Sequence, residues 1–454
     1  MIPIQEYVQR RQRLLDTIGD NDILLVSAAQ EVTRSNDTEY TFRQDSHFFY
    51  LTGFNEPDAW LVLLKEQGEA ESILFCRDKD PTAEIWHGRR LGADAAPEAL
   101  AVDTSYPLSE LADALVQLLD GKQVMHFAMG HLAHADELVL AAMNKLRSAP
   151  KQSKVAPVSI TDTRSRLHEM RLFKSPAEVA VMQASADISV RAHQRAMLYS
   201  ATHVDNAFEY QLAAEIHHEF AMAGAHSPAY NTIVGSGDNA CILHYTENSD
   251  RLTKGDLVLI DAGAELEGYA ADITRTFPVS GCFSKPQAKL YQLVLDAQLA
   301  ALEVIKPGNT LVQATNISVK VITQGLIDLG ILSGELAQNV QEKTYREFFM
   351  HGLGHWLGLD VHDVGDYKIK TADATVDRPL APGMVLTVEP GIYIAPDAKV
   401  DECWRGIGIR IEDNVLITEK GHEILTIKAP KTITDIEALM SLNKPSSTGN
   451  SERA

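Results

Sequence analysis

Residues 254–279, KGDLVLIDAGAELEGYAADITRTFPV, put two aspartates where a soluble fold does not place them without a reason. Residues 256–261 run through β-branched and apolar positions as a buried strand does. A Glu-rich bend with Gly263 and Gly268 follows, and residues 269–279 resume as a second strand. A bend centred on Leu266–Glu267 sets Asp261 and Asp272 directly opposite one another, on one face, with Cβ atoms roughly 4.5–5.5 Å apart. Facing carboxylates at the ends of apolar runs repel and resist ionising together, and a divalent cation between them removes that penalty. A different register makes one or both of them solvated turn residues. The hairpin alone leaves both readings open.

The chain has 454 residues, room for two or three domains, and its 45% hydrophobic and 23% charged residues fit a large packed core. A formal net charge of −21 argues against a nucleic-acid binder, which carries a basic patch or stripe. Cys76, Cys241, Cys282 and Cys403 are far apart and form no C-x-x-C pair, so neither a disulfide framework nor a zinc knuckle is indicated. A reducing cytoplasm fits best. Arg10, Arg11 and Arg13 stand where a signal peptide needs an apolar core, and no apolar run reaches membrane-spanning length. No membrane partner is therefore expected.

Residues 1–170 alternate strand-like segments (22–28, 58–65, 71–77, 123–128) with helical ones (108–119, 131–146), the pattern of a separate α/β domain. Its middle carries polar and aromatic residues around Asp37 and Trp86. On local grounds Trp86, beside His87, Arg89 and Arg90, reads as a partly buried surface residue before it reads as a site residue. A linker is expected over 149–163. A helix then opens at Ser175, with Pro176 at its first position and Glu178 completing a capping box. A second helix is expected over 205–223, stopped by Gly224. Its Glu215, His217, His218 and Glu219 suit a polar helix face better than a metal site. Another helix pair follows, opened by Ser284 and covering 310–329, before a strand-rich block to residue 428. Two helices then strands, twice over, predict an internally duplicated α+β domain over 171–440. The polar run 441–454 is expected to be a disordered tail.

Three further stretches deliver acids or histidines out of apolar runs. In FFMHGLGHWLGLDVHDVG, His351 and His355 are four apart but lack the glutamate of a helical zinc motif, so this is a close-packed, glycine-rich loop. In GMVLTVEPGIY, Glu389 ends an apolar strand before a Pro-Gly turn. In GIGIRIEDNVLIT, strict alternation puts Gly408, Arg410 and Glu412 on one face. An Arg and a Glu there suit a structural ion pair, but an acid from each of four strands does not.

Asp261, Asp272, His355, Glu389 and Glu412, in that order and in these contexts, resemble the five ligands of the dinuclear "pita-bread" metallopeptidases. The resemblance spans essentially the whole chain, and DTEYTFRQDSHFFYLTGFNEP with IWHGRRLG is similar to the proteobacterial aminopeptidase P branch. It implies a two-domain α/β protein: a creatinase/prolidase-like N-terminal domain, concerned with oligomerisation and the rim of the active site, and a C-terminal pita-bread catalytic domain. It also implies two Mn(2+) per subunit, with Asp272 and Glu412 bridging them, Asp261 on one ion, and His355 with Glu389 on the other. The hard, oxygen-rich donor set suits manganese, and a water between such ions becomes a nucleophile near neutral pH. By the same resemblance His244 and His362 stabilise charge on the substrate carbonyl. His351 and Tyr393 shape the pocket, and Arg410 orients Glu412. Asp37 and Trp86 match residues that such enzymes bring to a neighbouring subunit's site.

The implied activity is an aminopeptidase releasing the N-terminal residue from Xaa-Pro peptides, in a homo-oligomer that is a tetramer or, failing that, a dimer. A prolidase confined to Xaa-Pro dipeptides is the nearest alternative. A non-catalytic pita-bread binding protein, such as a histone-chaperone module, or a creatinase-like amidinohydrolase would be expected to lack ligands that are all present here.

Overall fold

The strand Asp22–Ser27 (β1) is apolar through its centre because both faces are covered, and all six of its residues are buried. It pairs antiparallel with Trp60–Glu66 (β2), which pairs in turn with Glu69–Cys76 (β3). Thr104–Pro107 (β4) adds parallel to β3, and Val124–Phe127 (β5) adds parallel to β1. Ser159–Thr161 (β6) completes the order β4-β3-β2-β1-β5-β6. Part of the stretch 149–163 is therefore an edge strand and not a linker. It lacks a helical period because it is extended and hydrogen-bonded to β5. Helices Leu111–Leu119 and Ala133–Arg147 cover the sheet, with Leu115 and Val139 packed on Ile23, Leu25 and Phe75. This unit runs from Met1 to Arg171, and residues from Leu172 onward form a second. The computed structural model describes residues 1–204 and 206–442. The tail expected to be disordered lies outside the described residues, save Ser441, which ends a helix, and Leu442.

The second unit opens with helix α1 (Pro176–Thr202), begun by the capping box read from sequence. Ser175 accepts from the Glu178 N–H, and the Glu178 carboxylate accepts from the Ser175 N–H. Helix α2 (Glu209–Met222) packs against it. The plan repeats in α3 (Lys285–Leu302), capped by Ser284 and Gln287, and α4 (Leu311–Asp328), capped by Thr310 and Gln313. Each pair is followed by a three-stranded sheet. The first is Ile233–Ser236 (β7), Leu257–Asp261 (β8) and, beyond two short strands, Thr274–Pro278 (β11). Those short strands are Ala264–Leu266 (β9) and Tyr269–Ala270 (β10). The second sheet is Val385–Val388 (β12), Asp413–Thr418 (β15) and Gly421–Ile424 (β16), with Gly391–Ile394 (β13) pairing Ile407–Arg410 (β14) beside it. The expected duplication is thus present as helices packed over sheets, with Ile216, Ile260, Phe277, Val294 and Ile322 in one core.

The central hairpin bends one residue later than expected. Glu267 and Gly268 both take positive φ, 48° and 81°, as a two-residue turn matched to strand twist requires. Leu266 therefore pairs with Tyr269, and Asp261 lies opposite Thr274, not Asp272. Moving the bend by one residue moves every partner by two, so Asp272 stays on Asp261's face as a diagonal neighbour. The diagonal leaves more room between the carboxylates than direct opposition. Opposite Asp272 the chain crosses so closely that a Cβ on Gly263 would lie 1.7 Å from the Ala271 carbonyl oxygen. Only glycine fits there.

Candidate metal centre

Each acid stands where its strand leaves the hydrogen-bonded ladder. Asp261 ends β8, Asp272 lies two residues before β11, Glu389 follows β12 and Glu412 precedes β15. Donor atoms of Asp272, His355 and Glu412 all lie within 4.8 Å of one another. His355 Nε2 is 3.4 Å from Asp272 Oδ2 and 3.5 Å from Glu389 Oε1. The Tyr230 hydroxyl is 2.6 Å from Asp261 Oδ1 and 2.5 Å from Asp272 Oδ1, which ties the first pair together.

The surrounding bonds fix these groups in orientation. A carbonyl only accepts, so His355 donates from Nδ1 to the Trp356 carbonyl at 3.0 Å and turns Nε2 toward the acids. The Thr274 hydroxyl donates to Glu412 at 2.7 Å, and the Thr387 hydroxyl to Glu389 at 3.2 Å. The Asn414 side chain accepts from the Asp272 N–H at 3.0 Å and donates back to its carbonyl. Beneath them the fully buried Arg275 pairs with Asp413 at 2.7 Å and donates to the Glu412 carbonyl.

Burial raises the Glu389 carboxyl to about 7 and pushes Glu412 well above its ordinary range, with Asp272 and the neighbouring acids adding to it. Asp261 is also raised by burial, in spite of the Arg410 guanidinium beside it. Burial acts to raise Asp272 too, but its bond and charge contact with His355 hold it below the usual carboxylate range. Burial likewise works against His355, yet Asp272 and Glu389 lift it to about 9. Four carboxylates, two buried and two partly buried, around one guanidinium and one imidazole leave negative charge in excess when ionised. The donor set, mostly carboxylate oxygen, fits hard divalent cations.

A cleft of about 600 Å³ opens over these groups, lined also by His244, His351, His362 and Arg410. Tyr393 lies beneath it, 2% exposed. It accepts from Arg410 Nη1 at 2.9 Å and donates to His351 Nε2 at 2.8 Å. Arg410 reaches Asp261, Nη2 to Oδ2 at 2.6 Å, where the sequence suggested Glu412. The expected alternation holds, with Arg410 and Glu412 both facing the cleft and Ile409 and Ile411 both in the core, but Nη1 and Nη2 of Arg410 go to Tyr393 and Asp261, and its Nε reaches Glu412 through the Thr274 hydroxyl. Asp37 and Trp86 belong to the N-terminal unit. Asp37 is exposed in a hairpin turn of the N-terminal unit, and Trp86 is 80% exposed on its helix Pro81–His87. On α2, Glu219 pairs with Arg191 at 2.9 Å, Glu215 with Arg195, and His217 bonds Thr232 at 2.8 Å, the polar face expected there.

Sequence reasoning missed Tyr230, Thr274, Thr387 and Asn414. The last three had a signal. Each stands two residues from an acid, on the same side of an extended run, as period-2 alternation provides. Tyr230 had none.

The sequence model of metallopeptidase family M24 matches residues 180–419, and that of the aminopeptidase P N-terminal domain matches residues 7–126. The chain belongs to metallopeptidase family M24. Among its M24 relatives, the Xaa-Pro aminopeptidase of Escherichia coli is 52% identical over 96% of this chain and 97% of its own. The Xaa-Pro aminopeptidase of Haemophilus influenzae is 48% identical, with 97% and 98% covered. The zinc-substituted structure of E. coli aminopeptidase P in complex with product superposes with a TM-score of 0.94 at 51% identity, covering 98% of this chain and 100% of that one. The protein is thus an M24 hydrolase with the two-part, pita-bread architecture of that family. No helix among its described residues is long and apolar enough to cross a membrane.

Proposed function

We propose that this M24 peptidase releases the N-terminal residue from peptides whose second residue is proline, with two manganese ions per subunit. The convergence of Asp261, Asp272, His355, Glu389 and Glu412 on one cleft carries the reading. In it Asp261, Asp272, His355, Glu389 and Glu412 would hold the ions. When bound, such ions polarise the scissile carbonyl and lower the pKa of a water. His244 and His362 donate to the carbonyl oxygen as charge develops there. Burial and the neighbouring His355 keep the His362 pKa low, so its imidazole is neutral and has one N–H to give. Arg410, through Tyr393, holds His351, whose pKa burial pushes down to about 4. The apolar walls Ile233, Leu243 and Val361 suit a proline ring, which has no N–H to satisfy.

In the same reading residues 1–170 form the oligomerisation domain and 171–440 the catalytic domain of a cytoplasmic homo-oligomer, a tetramer with a dimer as the alternative. Its exposed Asp37 meets the substrate ammonium in a neighbouring subunit, and Trp86 walls that cleft. The test is substrate length. A dipeptidase must recognise a carboxylate immediately after the proline, which blocks longer chains. We expect removal of the first residue from Xaa-Pro-Yaa tripeptides and longer peptides, no cleavage when alanine replaces proline, and comparable or lower rates on Xaa-Pro dipeptides. Strict confinement to dipeptides would make the enzyme a prolidase.

A further inference from the structure

His193 on α1 and Gln298 on α3, each on the first helix of its pair, are both fully buried. His193 Nε2 lies 3.0 Å from the carbonyl of Ala262, the residue after Asp261. Ala262 in turn donates its N–H to the carbonyl of Ile273, the residue after Asp272, at 3.0 Å. Gln298 Nε2 donates to the carbonyls of Val388 and Ile411, each at 3.1 Å. These are the residues before Glu389 and Glu412. Gln298 thus spans both acid-bearing strands of its half directly, and His193 reaches the second strand of its half through Ala262.

We infer that His193 and Gln298 are positioning residues, each clamping the two strands of its half so that the carboxylates keep the spacing cation binding needs. The inference rests on the metal reading above. Because carbonyls only accept, His193 donates from Nε2, and burial, which lowers its pKa to about 4, keeps the ring neutral. Its Nδ1 is left buried without a hydrogen-bond partner, a desolvation cost that a residue kept for packing alone would not carry. Gln298 gives Nε2 to the strands while its Oε1 accepts from Lys431 Nζ at 3.0 Å. On the α1 face, Ser189 and Ser185 stand four and eight residues before His193 and extend the clamp to Ala264. Ser189 Oγ accepts from the Ala264 N–H at 2.9 Å, and Ser185 Oγ donates to its carbonyl at 2.8 Å.

The test is calorimetric titration of the full chain with manganese alone, alongside the Tm of the metal-free protein. His193→Leu and Gln298→Leu remove the donors and should each weaken manganese binding about 10–100-fold. His193→Gln, which supplies the donor that serves the other half, should recover most of that affinity. A Leu variant that loses Tm but keeps wild-type manganese affinity would overturn the inference, and so would a Gln variant as weak as the Leu one. If a Leu variant does not fold, Ser189→Ala decides: weaker binding supports the clamp and unchanged affinity refutes it. A wild-type chain that binds no manganese at all removes the metal assignment first, and the clamp with it.

Discussion

The two halves of the C-terminal unit each bring two acids to the cleft, yet they hold them differently. The first half uses aspartates on one hairpin, joined by the Tyr230 hydroxyl, with the Arg410 guanidinium on Asp261. The second half uses the longer glutamates flanking β12 and β15, and their polar side-chain neighbours include threonine hydroxyls, His355 and His351. The electrostatics follow. In the first half His355 holds Asp272 low while burial raises Asp261, whereas in the second both acids rise, Glu389 to about 7 and Glu412 well above its ordinary range. Duplication therefore repeats positions and not charge balance, and the glutamate half depends more on bound cations.

That comparison breaks most readily at Glu412. Glu412→Ala removes a proposed ligand, so elemental analysis should find metal lost, and kcat/KM should fall by several orders of magnitude. A variant keeping two ions and a normal rate contradicts its role. Next in size is His244→Ala. As a contact to developing charge and not a ligand, it should leave metal content unchanged while kcat drops about 10²–10³-fold; loss of metal would make His244 a ligand.

Glu389 and Asp272, one acid from each half, should also titrate in opposite senses. Glu389, near 4.5 unfolded and about 7 folded, binds its proton more tightly in the metal-free folded chain. Its stabilising effect is complete below about 4.5 and is lost as pH rises through 7. Asp272, held low, stabilises above its unfolded value and loses that effect as pH falls. Glu389→Gln stays neutral, so its metal-free Tm should gain on wild type as pH rises from 4.5 to 7. A constant difference across that range would remove the argument. The smallest effect concerns the matched helix starts. Ser175→Ala and Ser284→Ala should each cost about 1 kcal/mol in denaturant unfolding, and unequal costs would show that the two caps are not equivalent.

Local chemistry made much of this legible. The capping residues Ser175 and Ser284 announce both helix pairs, and apolar runs ending in acids announce the ligand strands. The bend was misplaced because Gly268 supplies the second positive φ, a matter of turn chemistry that hydrophobic pattern does not report. The partner of Arg410 was out of reach for another reason. Asp261 lies 149 residues away, and the pairing exists only once β14 and β8 are brought together. Tyr230, 31 residues from Asp261, is hidden in the same way. The edge strand β6 is too short and too exposed to show alternation.

Titration of metal-free protein with manganese, following metal per chain and Xaa-Pro-Yaa hydrolysis together, tests the central claim most directly. Activity should be absent at the start, rise with loading and level off at two ions per chain. Full turnover by verified metal-free protein would contradict the account.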